Sequence, residues 1–150
     1  MDFFTDLYHN RIFMASVTGW FIAQLLKTLI HLWINRKFVA ERMVGSGGMP
    51  SSHSSTVCAL VTATGIEYGG GSFQFAIAAI LAIIVMYDAM GVRRETGIQA
   101  KVLNEMMEMF TNMGKKMSAE EKLKEFVGHT PLQVLMGALL GIFIAVLMYI

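Results

Sequence analysis

PLQVLMGALLGIFIAVLMYI, Pro131 to Ile150, decides the class of fold. The stretch carries no charged side chain. A helix needs about 20 apolar residues to cross the hydrocarbon core of a bilayer, and this run meets that length. Three apolar blocks precede it, at about Ile12 to Ile34, Ser52 to Tyr68 and Ser72 to Gly91. The first is long enough to span, and the third is uncharged from Phe75 to Tyr87. The second is shorter and rich in Ser, Thr and Ala, which suits a helix inside a bundle better than one facing lipid. The expectation is an all-α integral membrane bundle of about four transmembrane helices, a single domain across residues 1–150.

Composition points the same way. Apolar residues make up 55% of the chain and charged residues 15%, against about 25% charged in a typical soluble domain. The net charge of +1 gives no argument for a nucleic-acid partner. The lone cysteine, Cys58, excludes a disulfide framework within the chain and a cysteine metal cluster, and reads as a small buried apolar group. Asp2 and Asp6 precede the first apolar block, so the basic start of a cleavable signal is missing.

Charge placement orients the bundle. Ten of the 12 Lys and Arg residues fall in two segments: Arg36, Lys37 and Arg42 after the first block, and Arg93, Arg94, Lys101, Lys115, Lys116, Lys122 and Lys124 between the third and fourth. Four crossings put both segments on one side, which the positive-inside rule makes cytoplasmic. A multi-pass protein of a bacterial-type cytoplasmic membrane is expected. Gly69, Gly70 and Gly71 make a tight turn, so the second and third blocks are antiparallel neighbours. Residues from about Val92 to Met113 read as an amphipathic helix, with Ile98, Val102, Met106, Met109 and Met113 recurring at spacings of three and four. It either lies in the membrane interface or caps the bundle. Ser118 and Glu121 then form a possible capping box for a short helix ending near Val127.

The polar residues that remain need partners. In Gly47-Gly48-Met49-Pro50-Ser51-Ser52-His53, Ser51 or Ser52 caps the second membrane helix, whose free N–H groups and positive dipole suit phosphate. His53 lies in that first turn and can donate a proton to a leaving oxygen. In Gly128-His129-Thr130-Pro131-Leu132-Gln133, Thr130 is an N-cap, Pro131 fits the first helical position and Gln133 completes a capping box. His129 therefore stands just before the fourth helix, and both helices begin on the same side. Asp88 lies near the end of an apolar span, where a carboxylate needs a partner. Arg93 and Arg94 follow it, and guanidinium forks match phosphate oxygens. Gln24, Lys27 and His31 share one face of the first helix. Lys27 is submerged, which a pairing with Asp88 or a phosphate contact explains better than snorkelling.

Together GGMPSSHSS at Gly47 to Ser55, DAMGVRRETGIQAKVLN at Asp88 to Asn104 and GHTPLQVLMGALLG at Gly128 to Gly141 resemble the divergent branch of the type 2 phosphatidic acid phosphatase and vanadium haloperoxidase superfamily. The resemblance implies metal-independent, cofactor-free hydrolysis of a lipid phosphate or isoprenoid (polyprenyl) pyrophosphate through a phosphohistidine. His129 takes the place of the nucleophile and His53 that of the general acid. Arg93 or Arg94, Lys27, and the N–H groups near Ser51 and Ser52 take the place of the phosphate clamp. Gln133 stands where the family pattern has an orienting Asp, and Asp88 is the candidate for that charge. Ser52 replaces the glycine of the Pro-Ser-Gly-His element, and no Arg-Pro follows Lys27. Two other readings fit the residues. One is a binder or transporter of anionic lipid headgroups. The other is an assembly subunit that uses the Met-rich helix as its partner surface. Gly137 and Gly141 carry a small-xxx-small spacing that serves either a homodimer or internal packing.

Overall fold

A computed structural model describes residues 2–36, 48–113, 123 and 128–150, without the side chains of residues 92–94. Among the described residues six helices follow in order: α1 Phe3–His9, α2 Arg11–Asn35, α3 Ser52–Tyr68, α4 Phe73–Met90, α5 Val92–Asn112 and α6 Pro131–Tyr149. The expected apolar blocks correspond to α2, α3, α4 and α6 within a residue or two. The short α1 is an addition, since residues 3–9 carry no long apolar run to announce it. Lys37, Arg42, Gly47, Lys115, Lys116, Lys122, Lys124 and the Ser118–Glu121 capping box lie outside the described residues.

Polar caps explain where the helices begin. The Asn10 side chain accepts from Phe13 N, Ser51 from Ser54 N, Ser72 from Phe75 N and Thr130 from Gln133 N. Each meets an N–H that the first helical turn leaves unpaired. Between α3 and α4 the chain reverses at Gly69, whose φ of 80° suits glycine.

Helices α2, α4 and α6 surround α3, which touches all three. By length and composition α2, α6 and the stretch from Phe73 to Asn112 can cross a membrane. With 17 residues, α3 extends only about 25 Å at 1.5 Å per residue. Its place is the interior, as its Ser, Thr and Ala content suggests. The packing runs opposite to that of a water-soluble bundle. Ala15, Ala59, Ala63 and Ala145 form one core cluster, while Val57, Cys58 and Ala82 form another. The large side chains point outward: Ile80 is 57% exposed and Phe143 60% exposed. In water so much exposed apolar surface would drive association. In lipid it costs nothing, and small residues inside let the backbones approach. The chain is a multi-pass membrane bundle.

Gly137 and Gly141 make the closest approach. A Cβ at 137 would strike the Ser51 carbonyl, and one at 141 would strike the Ser55 carbonyl and lie 2.9 Å from Ala59 N. Their small-xxx-small face is therefore occupied by α3 within the chain. At the end remote from these caps, Arg11 Nη2 donates to Met148 O at 2.6 Å and its guanidinium stands 4.2 Å over the Tyr149 ring. Tyr149 in turn donates its hydroxyl hydrogen bond to Glu67. These three residues pin α2, α3 and α6 together.

Helix α5 leaves the bundle at Gly91. Gly97, Ala100 and Asn104 are buried on one side, where the Asn104 amide donates to Leu123 O and accepts from Leu123 N, at 2.9 and 3.0 Å. The stripe of Ile98, Val102, Met106, Met109 and Met113 is exposed. No described residue of the bundle covers that stripe. The small residues Gly97 and Ala100, not the bulky stripe, make the close packing.

Candidate functional site

One end of the bundle gathers the C-termini of α2 and α4 and the N-termini of α3 and α6. Two backbone bonds hold it. Ser51 N donates to Gln133 O at 3.0 Å, joining the start of α3 to the first turn of α6. His129 N donates to Ala89 O at 3.1 Å, tying the approach to α6 onto the end of α4. His53, in the first turn of α3, and His129, just before α6, are thereby brought together. Their ring centroids are 6.4 Å apart and the rings are inclined at 53°. Residues 76 positions apart in sequence thus face one small space. Two helix N-termini, those of α3 and α6, open beside it, each with its positive dipole end.

His129 is 3% exposed, and its Nδ1 lies 3.3 Å from Gln133 Oε1. The same oxygen accepts from Thr130 N at 3.0 Å. The backbone N–H requires the amide to present its oxygen there, so the imidazole must supply the proton of the second bond. Neutral His129 therefore carries its hydrogen on Nδ1 and keeps the Nε2 lone pair. The capping box expected for Thr130 and Gln133 is present on both sides. Gln133 thus serves the helix cap and the imidazole with one atom.

Ser51 is fully buried and Ser52 nearly so. Ser51 Oγ caps Ser54 N and accepts from Ser54 Oγ at 3.0 Å. Lys27 is 3% exposed, and its Cγ and Cδ lie where a Cβ on Gly48 would meet them at 3.2 Å. The lysine stem therefore runs under the loop that leads into α3. Gly48 has a φ of 87°, so glycine is favoured there on conformation as well as space. Asp88 is partly buried in the last turn of α4, one residue before the carbonyl that holds His129 N. Arg93 and Arg94 follow Val92 in the first turn of α5, with their side chains outside the described residues. His31 is partly buried farther along α2, and its carbonyl accepts from Asn35 Nδ2 at 3.2 Å.

Sequence reasoning placed both histidines, Ser51, Ser52 and Lys27 at this end of the bundle. It placed Gln24 on the Lys27 face of the first helix and gave it no role at the site. Gln24 is 6% exposed and its Oε1 is buried without a hydrogen-bond partner among the described residues. The only available signal was an amide one turn from a submerged lysine inside an apolar helix.

Comparison with known proteins bears on this arrangement. The family described as "Divergent PAP2 family" matches residues 8–144. The chain is 38% identical to "Uncharacterized membrane protein YuiD" of Bacillus subtilis (strain 168), across 95% of this chain and 96% of that protein. No solved structure matches.

Proposed function

The chain belongs to the divergent PAP2 family, and on that premise we propose that it hydrolyses a lipid phosphate or polyprenyl pyrophosphate at the cytoplasmic face of the membrane, without a metal or cofactor. The observation that carries this reading is the meeting of His53 and His129, rings 6.4 Å apart, at two helix N-termini. With its proton on Nδ1, His129 attacks phosphorus through Nε2. The bond from phosphorus to the leaving oxygen breaks as protonated His53 gives that oxygen its proton. Arg93, Arg94, Lys27 and the N–H groups at the opening of α3 balance the charge on the equatorial oxygens. Water then attacks the phosphohistidine and passes a proton to the now neutral His53. Phosphate leaves and His129 regains its lone pair. Asp88 supplies negative charge beside His129, held at the end of α4 next to the carbonyl that fixes the His129 backbone.

The test is phosphate release by purified protein from a panel of lipid phosphates and polyprenyl pyrophosphates. His129→Ala and His53→Ala are each expected to abolish it while protein level stays normal. A label from the substrate phosphorus should appear as an acid-labile adduct on wild-type protein and not on His129→Ala. Wild-type turnover by His129→Ala would remove the nucleophile. One observation favours a second reading, that of a binder or transporter of anionic headgroups: the neutral amide of Gln133 stands 3.3 Å from His129 Nδ1, where the family pattern has an orienting Asp. Headgroup binding that survives His129→Ala, with no turnover by wild type, would select it.

A further inference from the structure

Gln24 Oε1 stands out as a buried side-chain acceptor with no donor among the described residues. Taking an acceptor out of water without a partner costs stability, so an unmatched carbonyl inside a bundle needs a reason. Its position suggests one. Gly19 of α2 lies against Ser55 and Ala59 of α3, and farther along α2 the Lys27 stem runs under Gly48. Gln24 falls between these two contacts, level with the opening of α3 at Ser51 and Ser52. Lys27 and Thr28 flank it on the buried face of α2. Nearby hydroxyls are committed elsewhere: Thr28 donates to the Gln24 backbone carbonyl, Ser54 to Ser51 Oγ and Ser55 to Gly19 O.

We infer that Gln24 is a ligand-contacting residue of the phosphate site, whose Oε1 accepts a hydrogen bond from an O–H that arrives with the ligand, carried by a monoprotonated phosphoryl group or by a water bound with it. The inference rests on the phosphate site proposed above. The chemistry of the acceptor narrows what binds. A fully ionised phosphoryl edge presents only lone pairs, and a carbonyl repels it. A P–OH edge donates to the same carbonyl. Lys27, one turn on, carries donors and no acceptor, and suits the ionised oxygens. Gln24 and Lys27 together therefore read one protonated and one ionised edge of the same anion.

The experiment is calorimetric titration of the purified full-length protein with methyl phosphate, a monoester whose monoanion carries one P–OH and whose dianion carries none, below and above that second ionisation. Gln24→Met keeps the length of the side chain and removes the carbonyl. With a P–OH donor, wild type prefers the monoanion, and Gln24→Met weakens binding about tenfold at the lower pH and erases the preference. With a water donor, the loss is about tenfold at both pH values. Gln24→Glu is the second variant. It should bind methyl phosphate while its carboxyl is protonated and lose more than tenfold once ionised, since two anions then meet. Equal affinity of wild type and Gln24→Met at both pH values, or binding by Gln24→Glu that ignores pH, overturns the assignment and leaves the site standing. Wild-type protein that binds no methyl phosphate overturns the site itself.

Discussion

Gly141→Ala should part α3 from α6 without touching a single polar group of the site. The added Cβ would lie 2.9 Å from Ala59 N and closer still to the Ser55 carbonyl, where ordinary contact begins at 3.4 Å. Both obstacles are backbone, so no rotamer change relieves them. The helices must separate by about 1 Å, because close-packed interiors transmit strain instead of absorbing it. Overpacking of this kind costs about 1–3 kcal/mol. It also moves the element that carries His53 relative to the one that carries His129. A misplacement of about 1 Å at reacting groups can lower a rate about a hundredfold. The assays are thermal unfolding in detergent and phosphate release. Gly70→Ala is the control, since a Cβ there meets nothing within 4 Å. A Gly141→Ala protein with the melting temperature and rate of wild type would refute the reasoning, because it would mean that α3 and α6 do not pack at this register.

Gln133→Glu retains an acceptor for both Thr130 N–H and His129 Nδ1, so stability should hold to within about 0.5 kcal/mol, and a charged acceptor should raise the basicity of His129 and shift the pH profile of phosphate release upward. Gln133→Leu removes both bonds and should cost about 1–2 kcal/mol in unfolding together with most of the turnover. Tyr149→Phe loses the hydroxyl bond to Glu67 at the far end of the bundle; about 1 kcal/mol of stability should go, with no change in phosphate release. Spin labels at Val102 and Met109 of α5 should be relaxed by lipid-soluble oxygen, and one at Glu105 by a water-soluble agent; the same response at all three would deny that the stripe faces lipid.

Much of this architecture is written in local chemistry. The uncharged run of α6, the N-caps at Ser51 and Thr130, and the Gly69–Gly71 reversal are decided by neighbours in sequence, and they appear where the residues indicate. Pairing His53 with His129 also follows from local signals, since two caps on the same side of the bundle bring two helix starts together. What stayed hidden depends on contacts between distant segments. Gly137-xxx-Gly141 could serve another copy of the chain or an internal neighbour, and only the position of α3 decides between them. The exposed stripe of α5 has the periodicity of a packing face, yet small residues on its other side do the packing. That Gln24 Oε1 has no donor among the described residues depends on everything packed around it, and no pattern along α2 reports that.

A consequence follows from the way Gln133 Oε1 accepts from both the Thr130 amide and the His129 ring. Winding the first turn of α6 and choosing the tautomer of its neighbouring imidazole are one and the same event. When that turn frays, the ring is released to rotate and exchange its proton. Reactivity of this histidine should therefore follow the local order of a single helical turn, so that the readiness of the site can be measured by amide exchange at that helix start.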